Sequence, residues 1–214
     1  MDPYFKFHRK RYNYLLSLLK EYVSLDSNIL DIGRSPLTAL LYKRGYKNLT
    51  TLGFPLSKTH LDKKVPEMIP HIIFDLNDCK NREKWIKLPK FDLIIFAEVL
   101  EHLHVAPEYV MEFLKSGLEN GGYIILQTPN AVSIGKRLKM LFGIHPFEMI
   151  RKGDDPGHIR EYTKKELIQL GKKVGLKVIM HEYKNYFNLE GLGKVLYKLT
   201  FFLSTIQTRT NNHI

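Results

Sequence analysis

Residues 91–103 read FDLIIFAEVLEHL, and this stretch decides how the rest of the chain is interpreted. Its first six residues form an apolar run rich in β-branched and aromatic side chains, which predicts a strand buried on both faces. Glu98, Glu101 and His102 follow within one helical turn. We therefore predict that these side chains share one patch at the carboxyl end of the strand, the edge at which open α/β sheets bind ligands.

The two carboxylates and the imidazole form a candidate site. Groups of this kind that lie so close together are costly unless a cation, a proton or a substrate offsets their charges. The alternative interpretation is structural, with Glu98 or Glu101 facing solvent or capping the next helix and His102 hydrogen-bonded to the backbone. The residues around the cluster must decide between the two.

Length and composition favour a single domain. The chain has 214 residues, of which 44% are hydrophobic and 12% aromatic, and this suits one α/β domain with a sizeable core. No apolar run approaches the roughly 20 residues that span a bilayer, and the N-terminus shows no secretion signal. The single cysteine, Cys79, excludes an internal disulfide. We expect a cytoplasmic protein, soluble or peripheral to the membrane.

The formal net charge of +11 indicates affinity for anions. An anionic membrane surface and RNA are the two candidate partners, although a lysine-rich enzyme also carries such a charge as a solvated face. We predict that six basic residues face one anionic partner. They are Arg9, Lys10, Arg11, Lys136, Arg137 and Lys139.

The order of the predicted elements indicates a doubly wound parallel sheet. Strands are predicted at residues 28–33, 48–54, 71–76, 91–96, 123–127 and 176–183. Ser35 is expected to cap a helix that begins at Pro36, and Asp78 to cap a short helix. Thr163 and Glu166 form a capping box at the start of a later helix.

We divide the chain into three parts. Residues 1–27 hold a basic segment and an amphipathic helix, over residues 12–23, expected to lie across the sheet as a lid. Residues 28–186 form the core, and residues 187–214 a C-terminal amphipathic helix, over 189–206, with a short tail. Residues 131–157 form a basic and aromatic insertion, longer than a βα connection requires. Such an insertion roofs the pocket or contacts a lipid surface.

The turn after the first strand reads DIGRS over residues 31–35. A glycine turn between a strand and a helix N-terminus presents backbone N–H groups to a ligand, and Asp31 can neutralise a cation there or orient the turn. The signal is modest, because one glycine stands where dinucleotide and methyl-donor loops carry two or three. Gly53 ends the second strand at the position expected for a ribose-binding acid.

Four segments in this order resemble the class I S-adenosylmethionine-dependent methyltransferases. They are LDIG, FDLIIFAEVLEHL, LENGGYIILQTPN and GHIREYTKKELIQLGKKVGLKV, and the resemblance covers roughly residues 28–179. It implies a Rossmann-like α/β fold whose mostly parallel sheet has seven strands, or six, with helices on both faces. It also implies that the methyl donor, S-adenosylmethionine, lies over the carboxyl ends of the first, second and fourth strands.

The resemblance further implies a donor-binding set. Carried over to this sequence, the set is Asp31, Gly33, Arg34, Ser35, Asp75, Leu76, Phe96, Ala97 and Glu98. The chain departs from the family's pattern at Leu37, which replaces a glycine, at Arg34, which adds a cation, and at Gly53, which replaces the acid that holds the ribose hydroxyls. These departures leave open a degenerate protein that binds a ligand or partner without turnover.

A narrower resemblance concerns the acceptor side. Glu98, Glu101, His102 and His158 follow the pattern ExxEH…H, which is similar to the metal site of small-RNA 2′-O-methyltransferases. Ubiquinone-pathway O-methyltransferases share the EH and TPN segments. The resemblance implies that these four residues hold a divalent ion, Mg²⁺, Mn²⁺ or Zn²⁺. Without a metal, His102 or His158 serves directly as the general base.

The sequence therefore predicts an S-adenosylmethionine-dependent methyltransferase. The catalytic candidates are Glu101, His102 and His158, and the predicted acceptor is a hydroxyl of a small molecule, a glycan precursor or a lipid-linked intermediate. An RNA methyltransferase is the alternative enzyme, favoured by the net charge and the ExxEH…H pattern, although no separate RNA-binding module is evident. A degenerate, methyltransferase-like binding protein is the alternative outside enzymes.

Overall fold

The computed structural model describes residues 3–56, 65–153, 157–184, 186 and 203–210. Within these ranges the α-helices are α1 (Pro3–Tyr22), α2 (Pro36–Lys43), α3 (Pro107–Ser116), α4 (Ile134–Leu141) and α5 (Lys164–Lys173). The strands are β1 (Ile29–Ile32), β2 (Leu49–Gly53), β3 (His71–Ile73), β4 (Phe91–Ala97), β5 (Leu118–Pro129), β6 (Leu176–Lys184) and β7 (Leu203–Thr210).

The seven strands form one sheet in the order β3-β2-β1-β4-β5-β7-β6. The pairs from β3 to β5 are parallel, and β7 runs antiparallel to both β5 and β6. The predicted doubly wound, mostly parallel α/β fold is confirmed. Because the strand order reverses between β1 and β4, the crevice at their carboxyl ends is where such a sheet binds ligands.

Both faces of the sheet are covered by apolar cores. The side chains of β4 alternate between them, with Ile94 and Phe96 in the core under α3 and α5 and Leu93 and Ile95 in the core under α1 and α2. All four are fully buried. The apolar run at residues 93–97 of β4 is therefore explained by the strand's central position, where neither side faces solvent.

Helix α1 is longer than predicted. It begins at Pro3 rather than at residue 12, and its apolar stripe packs across the sheet as predicted, burying Tyr12, Leu15 and Leu19. The first half had been interpreted only as a basic segment. Phe5, partly buried against the same core, continues the stripe toward the N-terminus and explains the extra helical turns.

Strand β3 is shorter than predicted and ends at Ile73. Asp75 then caps a 3-10 helix, Leu76–Lys80, because its side chain accepts a hydrogen bond of 2.9 Å from the backbone N–H of Asn77. The predicted cap, Asp78, instead pairs with Lys84 at 2.6 Å. Strand β3 therefore ends early because the Asp75 side chain accepts a hydrogen bond from a nearby backbone N–H and starts a helical turn.

The C-terminal helix predicted over residues 189–206 is not found in the part of that range that the structure describes. Residues 187–202 lie outside the described residues, and residues 203–206 belong to strand β7, so the helical prediction was wrong there. Thr205, Ile206, Thr208 and Thr210 are β-branched, which favours a strand. Pairing with β5 and β6 outweighed the apolar spacing that had suggested a helix.

The insertion, residues 131–157, lies between β5 and α5. Helix α4 lies in it, and residues 142–153 form turns and irregular backbone. A parallel bridge between Asn130 and Tyr162 brings the two ends of the insertion to the carboxyl edge of β5. Among the described residues, no helix combines the length and the hydropathy needed to cross a bilayer.

Candidate functional site

A cavity of about 370 Å³ lies at the carboxyl ends of β1, β2 and β4. Five predicted donor-site residues line it, namely Gly33, Arg34, Asp75, Leu76 and Glu98. The other four, which are Asp31, Ser35, Phe96 and Ala97, are not among its lining residues. Its volume is in the range of small-molecule and cofactor pockets.

Gly33 shapes the floor of the cavity. Its φ is +83°, and a Cβ atom built at this position would meet no atom within 4 Å. Its N–H donates a hydrogen bond of 2.8 Å to the carbonyl of Leu52, which fixes the turn against β2. The left-handed conformation favours glycine, and the missing side chain leaves open space where a ligand can approach the backbone.

Asp31 and Ser35 hold the turn rather than line the cavity. Asp31 is buried, and its carboxylate accepts a hydrogen bond of 2.6 Å from the Thr38 hydroxyl on α2. Burial raises the pKa of Asp31 to about 7, although the Thr38 hydrogen bond and the charge of Arg11 oppose the shift. Ser35 caps α2 by accepting from the N–H of Leu37 at 3.2 Å.

Two of the three departures from the family's pattern are accommodated structurally. Leu37 is buried in the core under α1 and α2, so its side chain points away from the cavity. The guanidinium of Arg34 donates hydrogen bonds of 2.8 Å to the carbonyls of Ile69 and Pro66. Arg34 therefore fastens the segment before β3 beside the cavity instead of projecting a free cation into it.

The third departure leaves β2 without a terminal acid. Gly53 lines the cavity, and a Cβ atom built on it would lie 3.9 Å from both the Gly33 Cα and the His71 ring, an ordinary contact distance. His71 Nε2 lies 2.9 Å from the Phe54 carbonyl, and its Nδ1 lies 2.8 Å from the Thr51 hydroxyl. A Cβ atom therefore fits at Gly53 beside the cavity.

Glu98 has an unusual backbone conformation at the end of β4. Its φ is +57°, and it is the only non-glycine residue with positive φ among the described residues. Its N–H donates to the Gln127 carbonyl at 2.9 Å, and its carboxylate lies 3.2 Å from the Arg11 guanidinium. Burial raises the pKa of Glu98, while Arg11 and His102 oppose the shift. Such local strain concentrates at functional sites.

Arg11 belongs to the site and not to an exposed basic surface. It was predicted to face an external anion, but the structure buries it to 5% exposure beside Glu98. Its charge also favours the ionised forms of Asp31 and Glu101. Helix α1 therefore supplies the cation that offsets the acidic groups of this edge.

Loss of that cation is expected to destabilise the fold. Arg11→Met keeps much of the apolar stem but leaves the Glu98 carboxylate without its partner, so we expect the free energy of unfolding to fall by about 2 kcal/mol. Denaturant unfolding measures the change. Arg9→Met, at an exposed arginine of the same helix, should change it by less than about 0.5 kcal/mol. If adding Glu98→Gln to Arg11→Met restores no stability, the pair does not act as described.

Glu101, His102 and His158 converge at the next turn of the chain. One ligand atom from each lies within 4.8 Å of the other two, and the two imidazole centroids are 5.0 Å apart. The convergence predicted between distant parts of the sequence is therefore present for these three residues. The fourth predicted member, Glu98, is not in the group, because its backbone directs its carboxylate toward Arg11.

Glu101 is the fully buried member of this cluster. Its Oε2 accepts a hydrogen bond of 3.1 Å from the Thr128 hydroxyl, whereas its Oε1 has no hydrogen-bond partner among the described residues. Burial raises the pKa of Glu101 well above its ordinary value, and the Glu98 charge adds to the shift. Its backbone carbonyl accepts from the N–H groups of Ile159, at 2.7 Å, and Arg160, at 3.2 Å, which holds the His158 segment in place.

Hydrogen bonds orient both imidazoles. His102 Nδ1 lies 2.9 Å from the Gly157 carbonyl, so Nδ1–H donates to that oxygen, and in the neutral form of the ring the lone pair is on Nε2. His158 Nδ1 lies 3.1 Å from the Glu161 carboxylate. Burial, followed by the nearby charge of His102, lowers the pKa of His158 to about 4. At neutral pH His158 is therefore uncharged, the form that accepts a proton or binds a metal.

Lys136 connects the insertion to this cluster. It is buried, forms an ion pair with Glu161 and donates to the Asn130 carbonyl at 3.2 Å. Burial lowers the pKa of Lys136 to about 8. The prediction that Lys136 faces an external anion was therefore wrong. Arg9, Lys10, Arg137 and Lys139 are exposed, and a shared anionic partner for them stays a prediction.

The sequence contained signals for the residues that were missed. Arg11 precedes Leu15 and Leu18 at helical spacing, so a cation stands within an apolar stripe and requires a buried partner. Glu161 follows His158 by three residues, a spacing that allows a carboxylate to orient an imidazole. Thr128 precedes the Pro129 that ends β5, at the edge where ligands bind.

The cluster has the donor atoms of a divalent metal site. Glu101 offers a buried carboxylate oxygen without a partner, His102 offers Nε2, and His158 offers an uncharged ring. A carboxylate and two imidazoles suit several transition ions. His102 is hydrogen-bonded to the Gly157 carbonyl and His158 to the Glu161 carboxylate. In the metal sites of other proteins, hydrogen bonds of this kind hold the ligating histidines in position.

Comparison with protein families gives one match that spans most of the chain. A family model described as a methyltransferase domain matches residues 6–181. No curated protein sequence matches the chain.

Solved structures with the same fold are numerous. A SAM-dependent methyltransferase from Archaeoglobus fulgidus is 14% identical, with a TM-score of 0.63 over 98% of this chain and 100% of that one. The N-methyltransferase NodS from Bradyrhizobium japonicum, solved with S-adenosylhomocysteine, is 16% identical, with a TM-score of 0.59 over 96% of this chain and 88% of that one. A 1,6-didemethyltoxoflavin N1-methyltransferase from Burkholderia thailandensis, with bound 1,6-didemethyltoxoflavin and S-adenosylhomocysteine, is 14% identical, with a TM-score of 0.60 over 95% of this chain and 78% of that one. At these identities the likeness establishes the fold alone.

Proposed function

This chain belongs to the methyltransferase-domain family, and we propose that it transfers a methyl group from S-adenosylmethionine to a hydroxyl group. One observation carries the proposal: the cavity at the carboxyl ends of β1, β2 and β4 borders the Glu101–His102–His158 cluster. His102 belongs to both. A donor in the cavity therefore places its reactive end within reach of groups that can handle a proton.

The cavity supplies the donor side of the reaction. The open backbone at Gly33 accepts the close approach of a ligand, and Asp75, which follows β3, also lines the cavity. Arg34, another lining residue, fastens the segment before β3. Holding the donor in one orientation is the main contribution a protein makes to an in-line displacement, because it removes much of the entropic barrier.

The cluster supplies the acceptor side. In the proposed reaction the acceptor oxygen attacks the methyl carbon, the carbon–sulfur bond breaks and a neutral thioether leaves. The hydroxyl proton passes to an imidazole, and His102 Nε2 and the uncharged His158 are both suitable bases. A weakly acidic hydroxyl needs such a base more than an amine does, and this favours an oxygen acceptor.

Glu101, His102 and His158 would also hold a divalent ion. When bound, such an ion lowers the pKa of a coordinated hydroxyl and so makes it a better nucleophile. The buried Oε1 of Glu101, which has no partner among the described residues, is the group that gains most from a cation. In this proposal the cluster activates the acceptor hydroxyl in one of two ways: it holds a metal ion that lowers the pKa of the hydroxyl, or one of its histidines takes the proton directly.

Restoring the missing acid of β2 is expected to strengthen donor binding. The Cβ atom of Gly53→Asp meets no atom closer than 3.9 Å, and a carboxylate at this cavity wall can accept hydrogen bonds from the ribose hydroxyls. We expect the affinity for S-adenosylmethionine to rise by about tenfold, as one charge-assisted hydrogen bond allows. Calorimetric titration measures it, and Gly53→Ala, with no acceptor, is the control. Equal affinities of the two variants for S-adenosylmethionine would mean that the ribose does not bind at this wall.

An acceptor screen tests the proposed reaction. The protein is incubated with S-adenosylmethionine and with hydroxyl compounds from three classes, namely small molecules, sugars and lipid-linked intermediates. We expect a mass gain of one methyl group on an oxygen of one class. Methylation confined to amines would contradict the proposal of an oxygen acceptor while leaving the donor site intact.

An RNA acceptor is the second candidate. The observation in its favour is the convergence of Glu101, His102 and His158, the part of the ExxEH…H pattern that resembles small-RNA 2′-O-methyltransferases. Short RNAs belong in the same screen. A methylated 2′-oxygen, with no product among the other classes, would replace the small-acceptor proposal.

A further inference from the structure

The insertion exposes a compact run of large apolar side chains. Within residues 140–150 six of them are more than half exposed, from 56% for Ile144 to 88% for Met149. We call this set the insertion tip; it comprises Met140, Leu141, Phe142, Ile144, Met149 and Ile150. Single exposed apolar residues are ordinary, but so many in one short segment mark a surface that another body covers.

Basic residues flank the insertion tip on both sides in sequence. Arg137 and Lys139 precede it on α4, and Arg151 and Lys152 follow it, all four exposed. Glu148 is the single acidic residue between positions 131 and 153, and it lies 3.8 Å from Arg151. The surface therefore combines apolar side chains with an excess of positive charge.

We propose that the insertion tip docks onto the surface of an anionic lipid bilayer. Apolar side chains of a peripheral segment enter the boundary between headgroups and acyl chains, while lysine and arginine remain at the level of the anionic headgroups. The residue types and their order in the insertion match this arrangement.

Two other occupants fit the surface less well. A second copy of the chain docked tip to tip would bring the two basic flanks together, and like charges oppose such a symmetric interface. RNA would satisfy the basic residues, but bases stack on exposed aromatic rings; Phe142 is the one aromatic member of the insertion tip, and the ring of Phe147 nearby is partly buried under Lys136. The aliphatic and methionine side chains favour lipid.

The insertion tip is connected to the Glu101–His102–His158 cluster through α4. Lys136, on the same helix, is buried and paired with Glu161, which orients His158. A bilayer under the tip would thus lie next to the segment that borders the acceptor site. Resting on the proposed function, this placement favours a lipid-linked acceptor among the three classes of hydroxyl compound.

Vesicle co-sedimentation tests the docking. The wild-type protein is mixed at low salt with vesicles of phosphatidylcholine, with or without phosphatidylglycerol. We expect binding to the phosphatidylglycerol vesicles that weakens as salt is raised. The double variant Leu141→Glu/Phe142→Glu should bind at least about 100-fold more weakly, since two large side chains no longer enter the membrane.

Met68→Glu/Ile73→Glu is the matched control. Met68 and Ile73 are large exposed apolar residues outside the insertion, so the same change of charge there should leave vesicle binding within about twofold of the wild type. Circular dichroism checks that each variant is folded. Titration with S-adenosylmethionine checks the donor site separately, so a failure of docking is distinguished from a failure of the proposed function.

Three results would overturn the proposal. The first is no binding of the wild type to either vesicle at low salt. The second is retention on a short RNA without retention on vesicles. The third is a dimer in solution that dissociates in Leu141→Glu/Phe142→Glu and is unaffected by vesicles. This result would mean that the insertion tip binds a second copy of the chain.

Discussion

Gly33→Val is expected to lower the affinity for S-adenosylmethionine at least about 100-fold, a loss of about 2.7 kcal/mol. Gly33 has a φ of +83° and faces open space at the floor of the cavity. A branched side chain there is strained and occupies the path by which a ligand approaches the backbone. Calorimetric titration of the folded variant measures the effect.

Gly143→Val separates backbone strain from obstruction of the cavity. Gly143 has a φ of +70° and likewise meets no atom within 4 Å, but it lies in the insertion and not among the cavity-lining residues. Both variants should lose a similar amount of stability, about 1 to 3 kcal/mol. The Gly143 variant alone should keep donor binding. Wild-type affinity in folded Gly33→Val would place the donor elsewhere.

His158→Ala is expected to lower the rate of methyl transfer by about 10² to 10⁴. His158 belongs to the cluster that borders the acceptor but not to the cavity lining, so donor affinity should change little. Rates of product formation and donor titrations on the same preparation measure the two quantities. His104→Ala, at an exposed histidine two residues from His102, should keep the wild-type rate.

Chelation distinguishes the two proposed roles of the cluster. If Glu101, His102 and His158 hold an ion, a chelator lowers the wild-type rate to that of His158→Ala, and added Mn²⁺ restores the wild type alone. If His158 acts directly as a base, the chelator has no effect. A His158→Ala variant that retains its rate within about tenfold, with or without metal, would contradict both roles.

The fold followed from the sequence where patterns are local. The apolar run of β4 predicted a strand buried on both faces, and its central position confirms the reason. The meeting of Glu101, His102 and His158 followed from topology, because every parallel strand of such a sheet ends at the same edge. The capping box of Thr163 and Glu166 is also present, because it depends only on residues three apart.

The backbone at Glu98 could not be predicted from spacing. A regular helix would place Glu98, Glu101 and His102 on one face, but Glu98 adopts a φ of +57° and only Leu100–His102 forms a 3-10 turn. The change of direction sends the Glu98 carboxylate to Arg11. Left-handed conformations of non-glycine residues are rare, so a pattern of residue types does not reveal them.

The burial of basic residues also escaped sequence reasoning, for a different reason. Arg11 and Lys136 lie in segments that resemble solvated faces, and each is buried because a carboxylate from a distant element meets it, namely Glu98 or Glu161. Unpaired, such charges stay in water. Strand β7 is a similar case, since its conformation depends on pairing with β5 and β6.

Calorimetric titration of the wild-type protein with S-adenosylmethionine, and then with S-adenosylhomocysteine, tests the central claim most directly. The claim is that the cavity at the carboxyl ends of β1, β2 and β4 holds the methyl donor. It predicts saturable binding of both compounds in the micromolar range, lost in Gly33→Val and retained in His158→Ala. A folded wild-type protein that gives no heat of binding at high micromolar donor would contradict it.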